Sequence, residues 1–213
     1  MKNFRENLMH MVFFLCALTS IFAVVLICIF LFANGVPAMK EIGLLDFLTG
    51  AKWKPGNDIY GILPMILGSL YITAGAIVIG VPIGLLTAVF MAFYCPKKLY
   101  GLLKPCTELL AGIPSIVYGL FGMLFFVTRL HWGYSLLGGA MTLAIMILPL
   151  IMRTAEEALM AVPDSYREGS FGLGAGRLRT VFRIVLPAAG PGILSGVILG
   201  IGRIVGETAA LIF

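Results

Sequence analysis

The sequence predicts an all-α integral membrane protein, a bundle of about five transmembrane helices. Three observations predict it. Of the 213 residues, 60% are hydrophobic and 12% charged, where a soluble domain carries roughly 25% charged residues. Mean hydropathy is +1.04. The apolar residues also fall in long uncharged runs, and a bilayer crossing by a helix needs about 17–25 such residues.

The first run, Met11 to Ala33, follows Lys2 and Arg5. It exceeds the ~7–15-residue core of a signal peptide, so it reads as a retained helix with its start inside. Asn34–Tyr60 sets Lys40, Lys52 and Lys54 against Glu41, Asp46 and Asp58. With no positive excess it is expected outside, with Trp53 and Tyr60 at the interface. Gly61–Tyr94 is expected as one long helix, with Pro64 in its first turn and a kink near Pro82. Gly80 and Gly84 on it admit a close neighbour. Lys97, Lys98 and Lys104 place the short loop Cys95–Lys104 inside. A third span, Pro105–Val127, has Pro114 near its middle, and Thr128–Tyr134 turns outside. Ser135–Met152 is the fourth span, interrupted by Pro149. Ala188–Phe213 is the fifth, with Gly192, Gly196 and Gly200 as a packing stripe. An N-terminal helix and external loop (1–60) therefore precede a core domain (61–213), and Phe213 ends outside.

The chain has one long polar interruption, Glu156 to Pro187, which reads as a docking surface for a second protein. Arg153, Arg167, Arg177, Arg179 and Arg183 make it the most basic part and place it in the cytoplasm. Ser165 and Glu168 have capping-box spacing and would start a short helix. Gly172, Gly174 and Gly176 would break it. Leu178, Val181, Phe182 and Val185 then recur at helical spacing, giving an amphipathic piece that Pro187 ends.

Several function classes are excluded. The charge of +5 is spread over loops with no basic-aromatic patch, so no nucleic-acid partner is expected. Cys16 and Cys28 lie in the first span, Cys95 and Cys106 flank the basic loop, and no C-x-x-C occurs. Disulfides and a metal site are therefore not expected. His10 and His131 sit at span ends. Gly172-Leu173-Gly174-Ala175-Gly176-Arg177 follows no strand and lacks the Lys-Ser/Thr of a phosphate-binding loop. No cofactor or ATP site is expected, and the motifs of intramembrane proteases and hydrolases are missing. The chain does not read as an enzyme.

In the polar stretch, Glu168, Gly174, Ile184, Leu186 and Pro187 stand at a distinctive spacing. It resembles the EAA signature of ABC-importer permeases: Glu-Ala-Ala, three residues, Gly, nine residues, Ile, one residue, Leu-Pro. Gly169-Ser170 replaces Ala-Ala, a change that costs a helix roughly 1 kcal/mol at the glycine. Further runs are similar to the phosphate-specific permeases of the PstC and PstA type, leaning toward PstC. These are Tyr60-Gly61-Ile62-Leu63-Pro64, the stretch from Glu108 to Ser115 with Val117-Tyr118-Gly119, Gly202-Arg203, and Gly206-Glu207-Thr208. The resemblance implies a type I, MetI-like helical bundle in a bacterial inner membrane, surrounded by lipid. It implies the channel-forming subunit of an ATP-driven phosphate importer. The implied partners are a homodimeric ATPase, a sister permease subunit and an extracytoplasmic phosphate-binding protein. The coupling loop, about 154–187, would meet the ATPase through Glu168, Gly169, Ser170, Gly174, Arg177, Ile184, Leu186 and Pro187. Relatives continue into a sixth helix, so the chain is expected to be incomplete.

Arg203 and Glu207 carry charge inside the fifth apolar run, where insertion costs about 2.5–3.5 kcal/mol per charge. Four residues apart on a helix, they are expected to pair. They form the expected substrate pathway, with Thr208 and Ser115 as hydroxyl donors. Arginine suits phosphate because its planar fork meets two oxygens at once. The rival readings are a permease for molybdate, sulfate or an amino acid, an ATPase-independent channel or carrier, and a non-transporting scaffold.

Overall fold

The computed structural model describes residues 2–212, with side chains from Glu6 onward. Phe213 lies outside the described residues, as do the side chains of Lys2 and Arg5. The chain forms two compact units that divide between Ile66 and Leu67.

In the first unit, helix α1 (Lys2–Ile42) is longer than expected. It does not stop at Ala33 but runs on through Pro37. Asn34 folds its amide back onto the Phe30 carbonyl (2.8 Å) instead of turning the chain. The stretch expected as a loop is then built from short elements. Gly43 (φ 92°) leads into α2 (Leu44–Thr49). Strands β1 (Trp53–Lys54) and β2 (Ile59–Tyr60) pair antiparallel, with the Trp53 and Tyr60 rings edge to face at 5.8 Å. Gly50 and Gly61 touch backbone to backbone, leaving no room for a Cβ on Gly61.

Helix α3 (Leu63–Val89) continues through a π turn, Phe90–Tyr94, as the expected long helix. Pro64 lies in its first turn and Pro82 within it. The basic segment expected as a loop is the first half of α4 (Lys97–Ala111). The third span is therefore not straight from Pro105. Lys97–Ala111 and Ser115–Arg129 meet at 96°. The break falls at Gly112–Pro114, because proline forces the residue before it out of the helical region. Beyond it come α5 (Ser115–Gly122) and a π stretch, Met123–Arg129.

Helix α6 (Leu136–Met160) passes Pro149 without interruption. It also absorbs Arg153 to Met160, which were expected to belong to the loop. The remaining polar stretch holds α7 (Asp164–Gly172), α8 (Arg177–Thr180), a π turn, Val181–Val185, and α9 (Leu186–Ala188). Helix α10 (Gly190–Val205) follows at 66° to the segment before it, and a 3-10 turn occupies Ala209–Leu211. Among the described residues, three helices are long and apolar enough to cross a membrane, or five if each bent pair counts as one crossing.

Helix α6 is the hub of the second unit, and glycines bring the other helices onto it. A methyl group on Gly80 or Gly84 of α3 would come within 2.9 Å of Ile147 or 2.8 Å of Ile151. On α10 a Cβ at Gly192 would lie 2.7 Å from that of Ala158, one at Gly196 would collide with Thr154, and one at Gly200 would lie 3.1 Å from Ile151. Gly122 of α5 meets Thr142 in the same way. In lipid, helix association relies on this close backbone approach and dispersion, since apolar burial gains little there. The expected stripe on α10 is therefore a packing seam. Gly202, on the same helix, has nothing within 4 Å of a Cβ position. Gly196→Ala should destabilise the purified protein by about 1–3 kcal/mol through overpacking. Gly202→Ala should be neutral or slightly stabilising in the same thermal unfolding measurement.

Candidate functional site

The polar connection after α6 is short and tightly built. Pro163, with its fixed φ, precedes the first residue of α7 and no side chain caps the helix. Ser165 is already inside the helix, so the expected capping box does not form. Asp164 instead pairs with Arg167 one turn on, and the Arg167 guanidinium lies over the Phe93 ring at 5.5 Å, at the end of α3.

The other end of α7 closes as a Schellman motif. Gly174 adopts φ 81°. Its N–H donates to the Phe171 carbonyl (2.9 Å), and that of Ala175 donates to Ser170 (3.1 Å). A Cβ on Gly174 would meet nothing within 4 Å. Glycine is used here for its backbone angle, not for want of space. Inside the turn, the Ser170 and Thr180 hydroxyls lie 2.9 Å apart and buried, joining α7 to α8. The serine that replaces an alanine of the signature thus has a partner.

The other expected coupling residues spread along both arms. Glu168 and Gly169 are exposed on α7, and Arg177 is exposed at the start of α8. Glu168, Arg177 and Phe93 line a cleft of about 330 Å³ on one side of the turn. Gly169, Arg179 and Ile184 line one of about 590 Å³ on the other. Leu186 is half-buried and Pro187 exposed. Pro187 does not end the helical piece. It sits in the first turn of α9, where its missing N–H costs nothing. The amphipathic face differs too. Thr180, Val181 and Val185 are buried, while Leu178 is 68% exposed. The π turn at Val181–Val185 shifts the register of the face. At the tip, Leu173 is 92% exposed and lines the second cleft with Arg179.

The expected charge pair at the end of the fifth run is not made. Helix α10 stops at Val205, with Gly206 as its cap, so Glu207 lies beyond the helix and four-residue pairing geometry is lost. Glu207 Oε1 instead accepts from the Ala210 N–H (3.1 Å), holding the turn Ala209–Leu211. That turn rests on Gly119 of α5, where a Cβ would lie 2.5 Å from the Ala210 carbonyl oxygen. Arg203 is half-buried in the last turn of α10. Among the described residues it makes no ion pair. Thr208 is exposed and Ser115, the first residue of α5, is half-buried. Among the described residues no hydrogen bond joins Ser115 to Arg203, Glu207 or Thr208.

A residue outside the expected set carries the strongest polar contact. Glu156 of α6 is 5% exposed. It accepts from the Tyr100 hydroxyl (2.6 Å) and from Lys104 Nζ (2.8 Å), both on α4. The sequence reading took Glu156 for the start of a loop. Helical periodicity carried past Met152, placing it beside Ala155 and Leu159, was the signal for it.

Residues 80–213 match the family model of the binding-protein-dependent transport system inner membrane component. The chain belongs to this family. It is 39% identical over 206 residues to the probable ABC transporter permease protein YqgH of Bacillus subtilis, covering 92% of this chain and 67% of that one. It is 34% identical to the phosphate transport system permease protein PstC of Mesorhizobium japonicum, covering 88% of this chain and 64% of that one. With PstA 1 of Mycobacterium tuberculosis it shares 39% identity over 152 residues, 71% of this chain and 50% of that one. The chain thus spans from half to about two thirds of the length of these relatives. Its fold is similar to a chain of the MetNI methionine ABC transporter in inward-facing conformations, with a TM-score of 0.61 at 23% identity, covering 68% of this chain and 72% of that one. The family and the apolar helices make this permease a multi-pass membrane protein.

Because Glu156 is buried in this permease, its partners matter more than those of an exposed pair. Lys104→Met should cost about 1.5–3 kcal/mol, the range for hydrogen bonds to charged groups. Arg153→Met removes the exposed Arg153–Glu157 pair and should cost no more than ~1 kcal/mol. Thermal unfolding of both variants in one detergent tests the difference.

Proposed function

We propose that this permease is the channel-forming subunit of an ATP-driven importer of inorganic phosphate. A homodimeric ATPase, a sister permease and an extracytoplasmic phosphate-binding protein complete the machine. The family and the relatives named as phosphate permeases support this reading. The observation that carries it is the α7–α8 turn, a rigid polar knuckle with an apolar tip at Leu173 and basic flanks. With Phe171 and Leu178 also exposed on its arms, Leu173 gives the turn an apolar tip with a polar rim, which suits docking to a protein. By the positive-inside rule, the arginines in this turn and the lysines of α4 support a cytoplasmic side for both, together with the N-terminus.

The mechanism follows from how the chain is connected. Closure of the ATPase dimer moves α7, which joins α6 through Ala161, Val162 and Pro163 alone. Helix α6 carries the glycine seams of α3, α5 and α10, so a shift at its end is felt by all three. ATP and the loaded binding protein favour different arrangements of that bundle and shift its population. Arg203, whose guanidinium meets no carboxylate among the described residues, offers a two-pronged donor to an oxyanion in transit. Thr208 and Ser115 add hydroxyls along the path. Glu207 serves by holding the Ala209–Leu211 turn in place.

Two variants separate the roles. Leu173→Asp should weaken ATPase co-purification roughly tenfold, equivalent to ~1.4 kcal/mol, and lower uptake with it. Arg203→Gln should leave co-purification intact but cut uptake of labelled phosphate by about one to two orders of magnitude, as expected for lost charge-assisted hydrogen bonds of ~1.5–3 kcal/mol. Reconstituted complexes with competing molybdate, sulfate and amino acids read the substrate. Normal uptake by Leu173→Asp, or uptake that never requires the ATPase, would sink the proposal.

A further inference from the structure

We infer that α4 is an in-plane helix resting on the lipid surface, with its leucine face in the bilayer interface and Lys97 and Lys98 at the headgroups. Four observations lead there. The 96° bend means that α4 and the Ser115–Arg129 segment cannot both follow the membrane normal. Helix α5 carries no charge, whereas α4 carries Lys97, Lys98, Lys104 and Glu108. The charged arm is therefore the one that lies along the surface.

No residue of α4 is fully buried; Tyr100, Leu103, Lys104 and Thr107 are half-buried along one side, and its other apolar residues are ordered too. At about 100° per residue, Leu99, Leu102, Leu109 and Leu110 fall on one side, and Gly101 and Glu108 on the other. Leu102 is 64% and Leu109 73% exposed. A helix with an exposed leucine stripe, a polar back and basic residues has the composition of an interfacial element.

The roll of α4 about its axis is fixed. Tyr100 and Lys104, one turn apart, both hold Glu156 of α6. Across the bend, the Tyr118 hydroxyl donates to the Leu110 carbonyl (2.7 Å). With that side pinned to α6, the leucine face can turn neither inward nor to the polar side.

Continuity and charge name the occupant as lipid rather than a protein. Cys95 and Pro96 alone separate α4 from the end of the α3 span, and Gly112 to Pro114 alone separate it from α5. One end is tied to the α3 span and the other to the uncharged, apolar α5, so the helix is held at membrane level. Its first turn contains no acid and begins Lys97-Lys98, which complements anionic headgroups. None of this depends on what the permease carries.

The test uses the whole chain in vesicles of phosphatidylglycerol and phosphatidylcholine. Trp53 and Trp132, the two native tryptophans, are first replaced by phenylalanine. A single tryptophan is then placed by Leu102→Trp or by Gly101→Trp, where a Cβ meets nothing within 4 Å. We expect acyl-brominated lipid to quench most of the Leu102→Trp emission and aqueous iodide to quench little of it, with the reverse for Gly101→Trp. Equal lipid quenching of both would mean that α4 is immersed. A Leu102→Trp signal reached by iodide, or by neither quencher, would mean that water or a protein covers that face. Either result overturns the inference. If a variant fails to fold, Leu109→Trp and Glu108→Trp sample the same two faces.

Discussion

Backbone-close packing around α6 is the constraint on which the rest of the second unit depends. A membrane helix gains little by burying leucine against leucine, because lipid offers the same surroundings. What fixes its neighbours is fit. Three helices present glycine to α6, and α6 answers with Thr142, Ile147, Ile151, Thr154 and Ala158. The arrangement is stiff, because a gap or a clash of even a methyl group is felt in a close-packed interior. The same helix ends beside the α7–α8 turn. The element that organises the bundle is thus also the one to which the proposed docking turn is joined.

Polar contacts are few and are placed where packing alone would leave freedom. Helix α4 has only a half-buried side to set its rotation, and Glu156 fixes it through Tyr100 and Lys104. The bend at Gly112–Pro114 is steadied by Tyr118. The turn Ala209–Leu211 is held by Glu207. The first two contacts tie α4 to α6 and to α5, and the third closes a turn that also packs on Gly119.

Much of this could be read from the residues in order. Long uncharged runs gave away the spans, and glycines spaced by four on α10 and α3 gave away the seams. What escaped has common physical roots. Lysines at Lys97, Lys98 and Lys104 look like a loop when only charge is counted, because an in-plane helix and a loop are equally polar. Met152 looked like the end of a span because Arg153 follows, yet a helix continues past a bilayer boundary at no cost to its hydrogen bonds. Glu207 was placed on a helix face because nothing before it is as clear a stop as proline. Gly206 ends the helix quietly. For Gly174 the helix break was legible but its cause was not: the demand is on φ, which sequence spacing does not distinguish from a demand on space.

The Ser170–Thr180 contact has a consequence for how the knuckle behaves in solution. It joins two uncharged hydroxyls, shut away from water, across the turn that presents Leu173. Neither group titrates in the physiological range, and mobile ions cannot screen what carries no charge. The arginines outside it are fully open to screening. Ionic strength therefore acts on the approach of a partner and leaves the shape of the knuckle alone, so grip and rigidity are set by separate chemistry.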